Sequence, residues 1–315
     1  MNRLRIIFMG TPDLAATCLE NLLRRADFQI IAAVTQPDRP RGRNLQLHPS
    51  PVKTIALRAG LPVLQPERAR DEAFIQQLRS LSPDLITVAA FGQILPRAIL
   101  ELPPHACLNV HTSLLPKYRG AAPIQWAILN DESITGVTIM KMDAGLDTGD
   151  ILSREQTPIQ PDDDSQTLHD RLATMGGNLL SRTIPDWVSG KIAPQPQPAD
   201  GVSHAPKIRK EDGRIDWTQP ARTLWNRIRA FTPWPGAFTY LPGDAQPQIL
   251  KLWEAAPVAE SGPPGVVMRR DKNGITVGCG DGALLIRSLQ KQASRRMTAG
   301  EFLAGHELKP GTKLG

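Results

Sequence analysis

Two short stretches carry side chains that could do chemistry together. In "NVHTSLLPKYRGAAP" (109–123), an amide, an imidazole and a hydroxyl take alternate positions as Asn109, His111 and Ser113, where the apolar run "CLNV" ends. In "GVTIMKMDAGLDTGD" (136–150), a glycine-rich turn holds Asp143, Asp147 and Asp150, with Gly145 and Gly149 flanking Asp147. An Asn, His and Asp set with no nucleophilic Ser, Cys or Lys suits a transfer in which the substrate brings the nucleophile. An attacking amine has to lose a proton, and a carbonyl has to accept negative charge. His111 can move the proton, Asn109 can donate to the developing oxyanion, and Asp147 can orient the imidazole or accept through water. Each residue also has a plainer explanation. Alternating polar residues suit a solvated strand end, and Asp in such a loop usually caps its own backbone, which is the expectation for Asp143 and Asp150. Asp147 becomes a candidate only if it meets His111.

The elements around these stretches alternate. "LRIIFM" reads as a strand, followed by Gly10, Thr11 as a helix N-cap and Pro12 at the first helical position. "QIIAAVT" (29–35) is a second strand, and Ser50-Pro51 opens another helix in the same manner. "LPVLQP", "DLITVAA" (84–90) and "CLNVH" are further strands, a strand runs from Gly136 to Met142, and a helical pattern covers 165–188. Such alternation predicts an α/β fold with a parallel sheet covered on both faces, binding ligands beyond the carboxyl ends of its strands. Period-two spacing then points Asn109 and His111 the same way into that crevice.

Other chemistries are disfavoured. "FMGTPD" has one glycine where a dinucleotide fingerprint needs three, and there is no Walker loop, G-x-S-x-G or H-x-x-x-H. Asp162 to Asp164 read as a charged helix entry, and no metal is expected. Cys18, Cys107 and Cys279 are widely spaced and odd in number, so they read as ordinary thiols. No apolar run suits a membrane span, and "LRIIFMG" is too short for a signal-peptide core, so a cytoplasmic protein without membrane contact is expected. A net charge of +6 and a pI near 9.4 favour a polyanionic partner.

At 315 residues the chain has room for two units. The segment 190–208, with four prolines and no sustained apolar period, is the expected linker between a domain at 1–189 and another at 209–315. The latter reads as a helix from Gln219 to Phe231 and then short strands with hairpin turns at "DKNG" and "CGDG", a small antiparallel barrel or sheet. The loop "QPDRPRGRNLQLHPS" (36–50) is too long for an ordinary α/β connection and invites a functional explanation.

At these residues the chain resembles the folate-dependent formyltransferases. Their N-x-H followed by S-L-L-P matches Asn109, His111 and Ser113 to Pro116, and their "GVT...MD.GLDTGD" segment matches Gly136 to Asp150 with Asp147. The likeness runs nearly end to end through "RIIFMGTPDLAA", "VTQPDRP.GR", "SPVK", "FGQILP", "YRGAAPIQWAI", "RIDW" and "IRAF.PWPG", and these are the motifs of the branch that acts on charged initiator tRNA. The resemblance implies a Rossmann-like catalytic domain followed by a smaller OB-like β-barrel domain. It implies transfer of formyl from 10-formyltetrahydrofolate to the α-amino group of methionine on initiator tRNA, with Asn109, His111 and Asp147 as the catalytic set. Ser113, Leu114, Leu115 and Pro116 match the folate-binding segment, and Val88 to Pro96 would line the same pocket, although Val88 and Ala89 read better as core.

The resemblance further implies that the 36–50 loop contacts the acceptor stem through Arg39, Arg41 and Arg43. Lys207, Arg209, Lys210 and Arg214, with Arg287, Lys291, Arg295 and Arg296, form two basic clusters suited to tRNA. The chain departs from the family at "NLQL" after Arg43, where relatives carry lysines, and at Thr112, where many have Gly. A monomer is expected. The alternatives are a formyltransferase acting on an amino-sugar nucleotide, and an RNA-binding protein that keeps the fold without catalysis. Lys117 and Arg119 have no assigned role.

Overall fold

The computed structural model describes residues 3–41, 46–242 and 248–315. Two compact units emerge, one built from Met1–Pro123, Ile134–Pro158 and His169–Ala205, the other from Ile124–Ser133, Ile159–Leu168 and Pro206–Gly315. Residues 190–205, expected as linker, therefore belong to the first unit.

The elements of the first unit begin with β1 (Leu4–Gly10), α1 (Asp13–Leu23), β2 (Phe28–Val34), β3 (Arg39–Arg41), β4 (Gln46–His48), α2 (Pro51–Arg58) and β5 (Val63–Leu64). They continue with α3 (Glu72–Ser80), β6 (Leu85–Ala89), α4 (Arg97–Leu100), β7 (Cys107–His111) and β8 (Arg119–Gly120). Then come α5 (Pro123–Leu129), β9 (Ile134–Lys141), β10 (Ile151–Pro158), α6 (Ser165–Val188) and β11 (His204–Ala205), α5 and α6 each contributing to both units.

Seven strands form one sheet in the order β10-β9-β7-β6-β1-β2-β5. β7, β6, β1, β2 and β5 are parallel, as the alternation predicts, and β6 and β7 are buried along their whole length, as central strands of a covered sheet must be. The sheet is not wholly parallel, however. β9 runs antiparallel to β7, and β10 runs antiparallel to β9 because the short 142–150 loop joins those two as a hairpin rather than as a crossover. On one face Phe74, Ile75 and Leu78 of α3 pack with Ile7, Met9, Val34, Ile86 and Val88 in a single apolar cluster.

Ser50 caps α2 as expected, its hydroxyl accepting from Lys53 N at 3.0 Å with Pro51 at the first turn. Thr11 does not cap α1. The N-cap is Pro12, without a side-chain hydrogen bond, and the Thr11 hydroxyl donates instead to Phe91 O at 3.0 Å across the sheet end. Asp164 caps α6, its Oδ1 accepting from Gln166 N and Thr167 N at 2.9 Å each, so the Asp162–Asp164 run is a helix entry. All three cysteines are buried, and no helix among the described residues is long and apolar enough to cross a membrane.

The second unit contains α7 (Ala221–Ala230), β12 (Ala237–Leu241), β13 (Gln248–Val258), β14 (Val267–Asp271), β15 (Gly274–Gly278), β16 (Ala283–Lys291), β17 (Met297–Thr298) and α8 (Ala299–Gly305). Its antiparallel sheet has the order β12-β13-β16-β15-β14, with β17 on β16. Both hairpin turns are borne out, with Asp271 paired to Gly274 and Gly278 to Ala283. The last residues bridge the two edge strands: Val267 N donates to Thr312 O and Leu314 N to Gly265 O at 2.8 Å each, and Gly315 N donates to Tyr240 O at 3.0 Å. That stitching gives the open edges partners and supplies the barrel-like closure. α7 buries Leu224 and Ile228 against Leu250, Leu252 and Ile286.

Candidate active site

The carboxyl ends of three parallel strands lie side by side, Gly10 opposite Ala89 and Ala89 opposite Val110. Asn109 and His111 flank Val110 at the end of β7, both buried (9% and 5% exposed). The Asn109 carboxamide makes no hydrogen bond among the described residues, and neither of its polar atoms is fully enclosed, so a donor and an acceptor stand ready for a ligand. Cys107, two positions earlier, is no rival nucleophile, because burial pushes its thiol up to about 12 and its Sγ points to Ile99 O.

His111 is held at one ring nitrogen and faces a carboxylate with the other. Nε2 lies 2.9 Å from Tyr118 O, and Nδ1 lies 3.6 Å from Asp147 Oδ2. A backbone carbonyl only accepts, so Nε2 carries the hydrogen in the neutral ring as well as in the charged one. The lone pair of the neutral ring is therefore on Nδ1, beside the carboxylate. Nδ1 is thus the ring atom open to a proton, and it faces Asp147 Oδ2.

Asp147 reaches this position by an indirect path. Met142 N donates to Cys107 O, so the hairpin loop leaves β9 level with the amino end of β7 and folds back toward His111. Asp147 sits at φ 53, in the left-handed region, and its Oδ2 accepts from Gly120 N at 2.9 Å. Asp143 does what was expected of it, its Oδ1 accepting from Gly145 N at 3.0 Å and Thr148 Oγ1 at 2.7 Å inside the loop.

The loop also requires Gly149: a Cβ there would stand 1.8 Å from Lys141 O, a backbone atom that cannot swing aside. Gly149→Ala should cost about 1–3 kcal/mol of stability by overpacking. It should also lower kcat at least about tenfold by displacing Asp147. Thermal unfolding and steady-state kinetics on the same preparation check both.

The Ser113–Pro116 segment follows directly. Ser113 is fully buried and its hydroxyl donates to Lys117 O at 2.6 Å, so this side chain shapes the turn. Thr138, opposite His111 on β9, donates from Oγ1 to Ser113 O at 2.7 Å and accepts from Leu115 N at 3.1 Å, and Arg154 Nη1 donates to Leu115 O. Leu115 is buried with Met140 and Ile151, and Leu114 is half-buried beside Gly136. In the 88–96 stretch Val88 and Ala89 are core, as expected, while Ile94 is 89% exposed. The carboxyl ends of the strands thus gather apolar side chains, backbone groups of two loops and the unpaired Asn109 amide.

The 36–50 loop has a β-hairpin in it, Arg39 pairing with His48 and Arg41 with Gln46. Its base is fixed by Lys53, which contacts Asp38 at 2.5 Å and whose hydrogen bond holds the Asp38 carboxyl below its usual range. Arg39 is exposed, its Nη2 donating to Gln36 Oε1 at 3.2 Å. Arg43 lies outside the described residues, as does the side chain of Arg41. In the second unit Lys207, Arg209 and Lys210 are exposed and form no ion pair among the described residues. The other basic cluster is partly neutralised, since Arg295 pairs with Glu301 at 2.7 Å and Arg296 Nη2 lies 3.9 Å from Glu254 Oε2.

Four contributors to the site escaped sequence reasoning. Tyr118 O and Gly120 N are backbone groups, which carry no sequence signal. Gln197, from the proline-rich segment, donates from Nε2 to Asp147 O and Gly149 O at 2.8 Å each. Arg119 is its anchor, donating from Nη2 and Nε to Gln197 Oε1 at 2.7 and 3.1 Å.

Comparison with known proteins identifies the family. Residues 3–184 match the family described as formyl transferase, and residues 207–307 match the formyl transferase C-terminal domain. The chain is 49% identical over 315 residues to methionyl-tRNA formyltransferase of Geobacter sulfurreducens, covering 100% of this chain and 98% of that one. It is 48% identical over 313 residues to methionyl-tRNA formyltransferase of Myxococcus xanthus, covering 99% and 98%. Among solved structures, HypX from Aquifex aeolicus in complex with tetrahydrofolic acid aligns with TM-score 0.65 at 20% identity, over 99% of this chain and 51% of that one. WlaRD, a sugar 3N-formyl transferase, aligns with TM-score 0.66 at 20% identity, over 94% and 100%. At such identities these structures speak to the fold alone.

Proposed function

The chain belongs to the formyl transferase family, and we propose that it transfers a formyl group from 10-formyltetrahydrofolate to the α-amino group of methionine on initiator methionyl-tRNA, in the cytoplasm. The observation that carries the chemistry is the pairing of His111 Nδ1 with Asp147 Oδ2 at 3.6 Å, beside an Asn109 amide without a protein partner. Near half identity over the full length to proteins named for this acceptor carries the choice of substrate.

Folate, when bound, supplies a formyl group on a weakly basic nitrogen that departs readily. The Ser113–Pro116 turn and the exposed part of the 88–96 loop would hold it. Asn109 donates from its side-chain nitrogen to the formyl oxygen as negative charge grows there, an interaction stronger in the transition state than before it. His111 accepts the proton of the attacking amine at Nδ1 as the new C–N bond forms, while Nε2–H stays on Tyr118 O and Asp147 lies against the charge so formed. His111 then gives that proton to the departing folate nitrogen as its C–N bond breaks.

The test is incubation of the pure protein with charged initiator tRNA and 10-formyltetrahydrofolate. No formylmethionine above the level without enzyme sinks the proposal, and preferred formylation of an amino-sugar nucleotide replaces its acceptor.

Arg39, Arg41 and Arg43, with Lys207, Arg209 and Lys210, are proposed to meet tRNA phosphates, the domain at 209–315 serving mainly as a binding module. Replacing Lys207, Arg209 and Lys210 together by Ala should weaken tRNA binding with kcat nearly intact. Three lost phosphate contacts correspond to a salt slope shallower by about 2–3 in a log–log plot. Binding titrations across a salt series measure it, and an unchanged slope removes these residues from the interface.

A further inference from the structure

Residues 195–205, an expected linker, behave as a strap across the His111–Asp147 pair. β11 lies parallel to β8, His204 opposite Arg119 and Ala205 opposite Gly120. Ser203 Oγ accepts from Tyr118 N at 2.9 Å, so the residue whose carbonyl holds His111 is itself held by the strap. The residue whose N–H holds Asp147, Gly120, is the partner of Ala205, at an approach so close that a Cβ on Gly120 would stand 2.7 Å from Ala205 O. The third contact is Gln197, which touches the Asp147 loop directly.

The chemistry of Gln197 is specific. Its Oε1 receives two N–H groups of Arg119, and its Nε2 gives to the carbonyls of Asp147 and Gly149. The amide cannot be reversed, since that would set its NH2 against a guanidinium and its oxygen against two carbonyls. Asp147 holds a left-handed backbone, a conformation that persists in a residue with a Cβ only where its surroundings over-determine it. Two hydrogen bonds to the carbonyls of Asp147 and Gly149 do so.

We propose that Gln197, anchored by Arg119, is a positioning residue for the transfer reaction: it fixes the loop that sets Asp147 beside His111 Nδ1. This rests on the proposed formyl transfer, in which that pair handles the proton. Gln197 itself touches no substrate.

Gln197→Glu keeps the acceptor for Arg119 and loses both donors, Gln197→Met loses everything, and Arg119→Met removes the anchor alone. With both Gln197 variants kcat should fall about 10- to 100-fold, the scale of a misplaced catalytic group, while KM for tRNA and for folate stays within about threefold. Arg119→Met should cost less, and the double variant Arg119→Met/Gln197→Met no more than Gln197→Met alone, because the two act through one contact. Hydrogen exchange of segment 143–150 should quicken in the Gln197 variants with the rest of the chain unchanged. This readout needs no substrate, so an inactive wild type would sink the proposed function while exchange still reports on Gln197. The inference is overturned by kcat within twofold of wild type, by a loss borne by KM, by additive effects in the double variant, or by unchanged exchange. Failure of both Gln197 variants to fold would also overturn it, since the residue would then be a general structural one.

Discussion

His111→Ala should lower kcat for formyl transfer by about 10²–10⁴-fold, the usual worth of a positioned proton acceptor, and leave tRNA affinity nearly unchanged. The basis is geometric: Nδ1 is the one ring atom with a free lone pair, because Nε2–H is committed to Tyr118 O at 2.9 Å. The loss should therefore appear in kcat and in kcat/KM together, as it does when an interaction made only in the transition state is removed. A fold-preserving binding protein would show no activity in either form, and equal activity in the variant would remove His111 from its role. The measurement is steady-state formylation with charged tRNA, alongside a direct binding titration.

Asn109→Ala should cost about 10²–10³-fold in kcat, the scale for losing one oxyanion donor. The Asn109 amide makes no hydrogen bond among the described residues, so its removal breaks nothing in the protein that would confuse the result. Asn109 is 9% exposed, so the smaller side chain leaves a cavity of modest size, and unfolding temperature should shift little. An Asn109→Asp variant should be at least as slow, because it offers a second negative charge where one must develop. Rates with Asn109→Asp equal to wild type would rule out the oxyanion assignment.

Much of the architecture was legible. Apolar runs alternating with helical periods located β1, β2, β6, β7 and α6, and Asp-Lys-Asn-Gly located the hairpin between β14 and β15. Local chemistry decides such elements, and the Ser50 cap is decided by atoms three residues apart. Thr11 went differently for a reason outside its own segment. Its hydroxyl is taken by Phe91 O, 80 residues away, a competitor that no local rule contains. The 190–208 segment was read as linker because prolines and weak apolar periodicity mark extended chain. Extended chain can also pair laterally, and from Gln195 to Ala205 it does so through a bridge to Ile151 and a two-residue strand on β8.

By itself the sequence determined the kind of fold, the motifs that place the chain in its family, and the position of Asn109 and His111 at the end of one strand. Each of these depends on side-chain type and short-range spacing, which are written in the order of residues. The tertiary structure alone decided that Asp147 meets His111, because the hairpin loop has to fold back along β7 before the two approach. It also decided which ring nitrogen holds the hydrogen and what secures the Asp147 loop. Those answers come from Tyr118 O, Gly120 N and the two carbonyls under Gln197. Backbone groups are the same at nearly every position, so only the folded chain shows which of them face the chemistry.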